Sequence, residues 1–316
     1  MGHQRAHVHG DRVRGRRRDR LPPPAVHQPP PLAAGCHRGV GDHPGGGGHG
    51  LPERAGAGED HVTFGPDFSV VEAGGLLCLR SHSLRVSGVV HAFTTRQSLE
   101  AHLDPLADAA VRRRVLRSLG FDPRRVVILD QRHTAHVVEA SPHDAGRRLG
   151  VADAVVTCAP GVVLSVCTAD CLPVLLADPE AGIVAASHAG WRGLADGILL
   201  RTVEAMTARG ASPDRVLAAI GPSVGPCCYE VDAPVVEALE PWLDGALPPT
   251  RPGHWRLDLR AIALRQLRAA GLAAHRVSCC PACTACHPDW FFSYRRDRRT
   301  GRMEALIALT SSSDRR

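Results

Sequence analysis

Residues 161–193 read GVVLSVCTADCLPVLLADPEAGIVAASHAGWRG, and three apolar runs fill most of this segment, at 161–167, 173–177 and 182–187. Short runs rich in Val, Leu and Ile, bounded by turn residues, are typical of strands buried on both faces. Asp178, Pro179 and Glu180 are turn-forming and separate the second run from the third. The segment therefore predicts three consecutive buried strands joined by short connections.

Further strands and amphipathic helices are predicted on both sides of this segment. The predicted strands cover residues 68–71, 76–79, 89–93, 125–129, 215–220, 276–279 and 304–309. The predicted helices cover residues 107–119, 194–209, 234–243 and 258–270. Because both hairpins and helices join the strands, we expect an α+β (α/β) fold with mixed β-sheets and helices packed on them.

The amino-terminal segment differs in composition from the rest of the chain. Residues 1–60 are rich in Pro, Gly, Arg and His, a composition that cannot bury enough apolar surface to fold. Most of the net charge of +6 sits there, since residues 1–20 hold seven Arg and two Asp. We expect a disordered leader over 1–60, a catalytic domain over 61–311 and a disordered tail over 312–316, without a nucleic-acid partner.

The cysteines and the apolar runs bear on the compartment. The chain has 11 Cys, no apolar region typical of a signal peptide, and no apolar run of membrane-spanning length. These features predict a cytoplasmic protein without a membrane partner, in which the thiols are reduced and free to bind metal. The absence of lysine excludes a Schiff-base enzyme and a P-loop enzyme.

Three residues that follow or end predicted strands form a candidate metal site. Cys171 lies in the turn between two strands, and His188 ends the next strand. A histidine also follows the strand at 125–129; His133 is one candidate, and His136 or His143 could take its place. One thiolate and two imidazoles are typical zinc ligands, and three protein ligands leave a position open for catalysis.

Beyond these residues, the chain resembles the laccase-domain family, formerly called multicopper polyphenol oxidases and now regarded as zinc-dependent purine nucleoside enzymes. The matching blocks run in family order between about residues 85 and 310, at 131–133, 152–157, 168–173, 188–193, 221–231, 283–284 and 291–302. The resemblance implies a single laccase-domain-like fold and a Zn²⁺ bound by His133, Cys171 and His188. It also selects His133 among the candidate histidines.

The resemblance implies an activity on small-molecule substrates, namely purine nucleosides and phosphate. The family's chemistry is phosphorolysis of adenosine, inosine, guanosine or methylthioadenosine, and deamination of adenosine by an acidified, zinc-bound water. Candidate substrate-binding residues are Arg96, Gln131, Arg192 and Arg296. Asp170, next to a ligand, is a candidate base or orienting group. The chain departs from the family pattern at Arg132 and at residues 97–100, which lack the usual glycine pair.

Three other functions remain as alternatives. A copper polyphenol oxidase would use an axial Met, and the chain has only Met1, Met206 and Met303. A peptidoglycan-precursor editing hydrolase would use Cys171 as its nucleophile. A non-enzymatic domain that binds a metal or a partner would follow if the altered segment at 97–100 abolished activity. Separately, the cysteines of residues 279–286 resemble half of a structural zinc site, which only Cys227 and Cys228 could complete. The family resemblance accounts only for Cys228 and Cys283, which favours the interpretation without a second metal.

Overall fold

In this computed structural model, residues 64–98 and 108–310 are described, and they form sixteen strands and six α-helices. The predicted leader at 1–60 and tail at 312–316 lie outside the described residues. The strands are β1 Phe68–Ala73, β2 Leu76–Ser81, β3 Val89–Ser98, β4 Val126–Asp130, β5 Val137–Glu139, β6 Arg148–Val151, β7 Ala154–Thr157, β8 Val163–Thr168, β9 Leu172–Asp178, β10 Ile183–Ala189, β11 Leu217–Ile220, β12 Glu230–Asp232, β13 Pro249–Arg251, β14 His254–Arg256, β15 Val277–Cys279 and β16 Met303–Leu309. The helices are α1 Ala109–Ser118, α2 Trp191–Ala195, α3 Ile198–Thr207, α4 Ala233–Leu239, α5 Leu259–Ala269 and α6 Tyr294–Asp297.

The described strands form three sheets. A seven-stranded sheet has the order β1-β2-β3-β16-β8-β4-β6, and a six-stranded sheet has the order β15-β11-β9-β10-β7-β5. A three-stranded sheet has the order β12-β14-β13. Both larger sheets contain parallel and antiparallel pairs; β8, for example, pairs in parallel with β4 and antiparallel with β16, and β11 pairs in parallel with β15 and antiparallel with β9. The predicted α+β fold with mixed sheets is confirmed.

The two larger sheets pack face to face, and the alternation of side chains along their central strands explains why. In β16, Ala305 and Ile307 point into the core between the sheets, while Leu306 and Ala308 pack under α1. In β9, Leu175 belongs to the same inter-sheet core, and Leu176 packs against helices on the far side. The order of layers is therefore α1, seven-stranded sheet, six-stranded sheet, and the helices α2 to α5.

The three strands that the segment 161–193 predicts are present as β8, β9 and β10, but they do not lie in one sheet. β8 belongs to the seven-stranded sheet, whereas β9 and β10 pair in the six-stranded sheet. The connection between Thr168 and Leu172 therefore crosses from one sheet to the other. Cys171 lies on this crossing.

The helix expected at residues 194–209 is divided in the structure. It appears as α2 and α3, and Gly197 between them has a φ of 77°, in the left-handed region that favours glycine. The helix expected at 234–243 ends as α4 at Leu239 and continues as a 3₁₀ turn over Glu240–Trp242. α1 and α5 lie within two residues of the predicted bounds, and Asp108 and Asp258 cap their first turns through backbone N–H groups.

Six strands were not predicted from the sequence: β5, β6, β7, β12, β13 and β14. Each has three or four residues, too few to show a periodicity. No helix within residues 64–98 and 108–310 combines the length and apolarity that crossing a bilayer requires.

Candidate metal centre and active site

His133, Cys171 and His188 come together in the folded chain. One ligand-type atom from each lies within 4.8 Å of the others. The Cys171 Sγ is 3.6 Å from the His133 Nε2, and the two imidazole rings have centroids 4.9 Å apart. His136 is not part of this group; its Nδ1 lies 2.7 Å from the carbonyl oxygen of Val151. His143 is also outside it, in a 3₁₀ turn.

The ligands come from both large sheets. Cys171 lies on the crossing into β9, and His188 stands opposite Pro173 in the antiparallel pair of β9 and β10. His133 follows β4 of the other sheet by three residues and has a φ of 60°. The expectation that adjacent strands bring Cys171 and His188 together is therefore met, whereas His133 reaches them from the facing sheet.

A buried carboxylate, that of Asp153, orients two of the three ligands. Its Oδ1 accepts the backbone N–H of His133 at 3.0 Å and the Nδ1–H of His188 at 2.8 Å. Its Oδ2 accepts the backbone N–H and the hydroxyl of Thr134 at 2.6 and 2.8 Å. Since His188 Nδ1 donates to the carboxylate, its Nε2 is the nitrogen left to bind a metal.

The charges around Cys171 favour its ionised form, the thiolate. Burial opposes ionisation of Cys171, but the imidazoles of His188 and His133 outweigh it and lower its pKa to about 6. Burial opposes protonation of His188, yet Cys171 and Asp153 raise its pKa to about 9. Burial also opposes ionisation of Asp153, but its hydrogen bonds to His188 and Thr134 prevail and lower its pKa. A thiolate is the form of cysteine that binds metals.

Gly190 allows the ligands to approach each other. A Cβ at this position would lie 2.7 Å from Cδ2 of His133 and 3.2 Å from Sγ of Cys171. Gly190 has φ −78° and ψ 168°, which any residue can adopt, so the constraint comes from space rather than from the backbone. Gly190 therefore leaves room for the His133 ring and the Cys171 sulfur because it has no side chain.

The donor set fits a single zinc ion. With Zn–S of about 2.3 Å and Zn–N of about 2.05 Å, a tetrahedral site separates sulfur from nitrogen by about 3.6 Å. The distance from the Cys171 Sγ to the His133 Nε2 is 3.6 Å, which equals this value. Within the described residues, no fourth Cys, His, Asp or Glu joins the group. Three protein ligands would leave one coordination position of a tetrahedral ion open, as in catalytic rather than structural zinc sites.

Two predicted site residues hold the ligand-bearing turns. The side-chain amide of Gln131 bonds both backbone groups of Cys167, each at 2.8 Å, and so extends the pairing of β4 with β8. Asp170 has a φ of 93°, and its carboxylate accepts the Thr284 hydroxyl at 2.6 Å and the Arg295 backbone N–H at 2.5 Å. Both residues have the contacts of positioning groups, since these bonds occupy the amide of Gln131 and both carboxylate oxygens of Asp170.

The three predicted arginines differ in their surroundings. The guanidinium of Arg296 donates to the carbonyls of Thr284 and Phe291 and pairs with Asp297, so it is committed to local structure. Arg96 lies 4.9 Å from the ring centroid of Phe292. Arg192 stacks on Trp191 at 4.2 Å. Arg96 and Arg192 are both exposed, and neither has a carboxylate partner in the part of the chain that the structure describes.

Two residues near the ligands were not singled out from the sequence. The guanidinium of Arg295 lies 5.0 Å from the ring centroid of Tyr229 and has no carboxylate partner among residues 64–98 and 108–310. The pKa of Tyr229 is raised, chiefly by burial and by the nearby Cys171, against the opposing charges of Arg295 and Arg192. The charges of Cys171, Arg192 and Arg295 therefore all act on Tyr229, and its phenol stays protonated.

The similarity to known proteins covers this whole region. Residues 83–310 match the family model described as multi-copper polyphenol oxidoreductase laccase. A purine nucleoside phosphorylase of Streptomyces griseus is 43% identical over 207 residues, covering 65% of this chain and 83% of the relative. Purine nucleoside phosphorylase YlmD of Geobacillus stearothermophilus is 40% identical over 210 residues, covering 62% and 76%.

Solved structures agree with the observed fold. The crystal structure of YlmD from Geobacillus stearothermophilus matches with a TM-score of 0.67 at 35% identity and covers 74% of this chain and 96% of that one. The YfiH protein of Bacillus licheniformis matches with a TM-score of 0.68 at 30% identity, with the same coverage.

Proposed function

The chain belongs to the multi-copper polyphenol oxidoreductase laccase family, and we propose that it is a zinc-dependent purine nucleoside phosphorylase. The observation that carries the proposal is the group of His133, Cys171 and His188 together with two arginines. Arg192 follows His188 by four residues, and the backbone N–H of Arg295 bonds Asp170 beside Cys171. Neither guanidinium has a carboxylate partner in the described chain. The names of the relatives, which are purine nucleoside phosphorylases, support the reaction class. The finer activities, phosphorolysis of particular nucleosides and deamination of adenosine, are part of the same proposal.

The ligands favour zinc over a copper oxidase site. A blue-copper site adds a weak axial methionine to His₂Cys. Here Met206 is buried in α3, and the Met303 Sδ accepts the backbone N–H of Phe292 at 3.1 Å. Bound zinc supplies Lewis acidity and an acidified water, which suit nucleoside chemistry and do not require a redox change.

Arg192 and Arg295 are the proposed phosphate-binding residues. Phosphorolysis breaks the bond between the base nitrogen and C1′ of the ribose, and a phosphate oxygen forms the new bond to C1′. A dianionic phosphate needs cationic partners that are not already paired, and guanidinium groups bind phosphate with two parallel hydrogen bonds. We assign phosphate binding to Arg295 rather than to Arg296, because the Arg296 guanidinium already pairs with Asp297 and bonds backbone carbonyls.

Tyr229 is the proposed contact to the nucleoside. Its raised pKa keeps the phenol protonated at neutral pH, so the hydroxyl donates a hydrogen bond. A donor at this place can stabilise negative charge on the phosphate or on the departing purine. The ring offers a flat apolar face for the base beside Arg295.

The test is product analysis with the full chain. Adenosine, inosine, guanosine and methylthioadenosine are each incubated with and without inorganic phosphate, and the products are separated by chromatography. Only with phosphate do we expect free base and ribose 1-phosphate, or methylthioribose 1-phosphate from methylthioadenosine. We expect inosine from adenosine in either case. Oxidation of a phenolic substrate, or hydrolysis of a muramyl-peptide precursor, with no base released from any nucleoside, would replace this function by one of the alternatives.

Variants separate phosphate binding from folding. Arg295→Met and Arg192→Met should raise the KM for phosphate by about tenfold or more each, the equivalent of one charge-assisted pair. Arg298→Met is the matched control, because Arg298 is another arginine near a tyrosine ring, 5.8 Å from the centroid of Tyr294. If Arg295→Met and Arg298→Met had the same KM for phosphate, the assignment of Arg295 would be wrong.

A further inference from the structure

Four cysteines that take no part in the candidate active site converge elsewhere in the fold. They are Cys227 and Cys228 after β11, and Cys283 and Cys286 after β15, and their Sγ atoms all lie within 4.8 Å of one another. The Sγ of Cys286 is 3.4 Å from that of Cys227 and 3.4 Å from that of Cys228. The two cysteine pairs are more than fifty residues apart in sequence, so the fold alone brings them together.

Parallel pairing of β11 with β15 explains the convergence. Ala219 pairs with Ser278 and Ile220 with Cys279, so both strands end at the same edge of the six-stranded sheet. Beyond the strands, an isolated parallel bridge joins Ser223 to Cys283. The loops that carry the cysteines therefore leave the sheet side by side and in register.

The local backbone is arranged around the sulfur atoms. The N–H of Gly225 donates to the Sγ of Cys283 at 3.2 Å. A Cβ on Gly225 would lie 3.3 Å from the Sγ of Cys227 and 2.8 Å from a guanidinium nitrogen of Arg260, so a glycine suits the turn. The N–H of Cys286 bonds the carbonyl of Cys283 at 3.2 Å, which closes a turn between the two thiols.

We propose that Cys227, Cys228, Cys283 and Cys286 bind one structural Zn²⁺. Four thiolates at a Zn–S distance of about 2.3 Å form a tetrahedron with edges of about 3.8 Å. The observed separations, from 3.4 Å to a limit of 4.8 Å, fit such a tetrahedron. A cluster with two or more irons would hold its ligands farther apart than a single ion does. Four protein ligands close the coordination shell, which makes this site structural and distinct from the open site.

The second zinc would hold two loops that reach the candidate active site. Tyr229 directly follows Cys228, and Thr284 directly follows Cys283. The hydroxyl of Thr284 donates to Asp170 at 2.6 Å, and Asp170 precedes Cys171. Fixing the four cysteines therefore fixes the position of the proposed substrate contact and of the turn that presents the thiolate ligand.

Metal analysis of the full-length chain tests the proposal. Zinc per chain is measured by elemental mass spectrometry in wild type, Cys286→Ser, Cys171→Ala and the exposed control Cys158→Ser. We expect about one zinc fewer than wild type in Cys286→Ser and no loss in Cys158→Ser. Cys171→Ala measures the zinc held by the candidate active site. If that site held no zinc, wild type would contain one zinc per chain rather than two, and Cys286→Ser would still contain one zinc fewer than wild type.

A second measurement covers the case in which Cys286→Ser does not fold. In native wild-type protein, the four thiols should become reactive toward a thiol reagent only after a zinc chelator is added, with release of one further zinc equivalent. Equal zinc in wild type and a folded Cys286→Ser would overturn the proposal. So would iron in place of zinc, or an intact mass showing these cysteines as disulfides.

Discussion

Gly190→Ala adds one methyl group between two proposed zinc ligands. The new Cβ would lie 2.7 Å from the His133 ring, against an ordinary carbon–carbon contact of about 3.5–4.0 Å. The imidazole must therefore retreat by roughly 1 Å. Metal–ligand distances tolerate only about 0.2 Å, so this displacement removes His133 from the coordination shell. We expect zinc affinity to fall by at least about 10–100-fold, and activity with it.

The fold should tolerate the change. Gly190 has backbone angles that alanine adopts without strain, so the melting temperature of the metal-free protein should move little. Gly253→Ala is the opposite control, because Gly253 has a φ of 73° and a Cβ added there would have no neighbouring atom within 4 Å. It should lose about 1 kcal/mol of stability through backbone strain and keep its zinc.

A double-mutant cycle tests whether the added methyl group acts by displacing the imidazole of His133. Zinc affinity is measured by competition with a coloured chelator in Gly190→Ala, His133→Ala and the double variant. If the added methyl group acts only by displacing the imidazole, it has no further effect once His133 is replaced by alanine. Wild-type affinity in Gly190→Ala would refute the ligand role of His133, and a large additional loss in the double variant would show that the methyl group acts through Cys171.

Other variants test the same contacts and the domain boundary. Cys171→Ala and His188→Ala should each lose activity to background, because three ligands acting as one site are not additive, whereas His136→Ala should retain most activity. Asp153→Asn should lower zinc affinity by about 10–100-fold, since the carboxylate that fixes the His188 tautomer is weakened; unchanged affinity would contradict this. Asp178 is buried and pairs with Arg215. Burial opposes its ionisation, but its hydrogen bonds to the Arg215 side chain and to backbone N–H groups prevail and lower its pKa below the unfolded value of 3.8. Its contribution to the free energy of unfolding is therefore fully present above pH 3.8 and is lost as the pH falls through the lower folded pKa. Asp178→Asn should therefore cost about 1–2 kcal/mol in urea unfolding at pH 7, and less as the pH falls below 3.8. Deleting residues 1–60 should leave the melting temperature and activity unchanged, and a large loss of either would move the domain boundary.

The strands of the central segment could be predicted because burial on both faces leaves a continuous apolar run. The hairpin of β9 and β10 then places Cys171 near His188. The same reasoning could not reveal that β8 and β9 lie in different sheets, since a crossing between facing sheets has no local signature. Nor could it find β5 or β12, whose three residues pair with distant strands.

The sequence alone could not distinguish Arg295 from Arg296 as the proposed phosphate-binding residue. The two residues are adjacent and chemically identical, and both lie in a matching family block. They differ only in which groups the folded chain places around them, carbonyls of Thr284 and Phe291 for Arg296 and the ring of Tyr229 for Arg295. A matching block therefore locates a site region, and tertiary contacts decide which of its cations is free for a ligand.

Backbone strain and buried carboxylates occur together at the candidate active site. Of the three described non-glycine residues with positive φ, two are His133 and Asp170. Such a conformation costs about 1–2 kcal/mol for a residue with a side chain. At His133 this cost is offset by the bonds of Asp153 to successive backbone N–H groups, and at Asp170 by bonds to Thr284 and the Arg295 N–H. The strained turns are thus held by hydrogen bonds within the folded chain, and these bonds fix the positions of the proposed metal ligands His133 and Cys171.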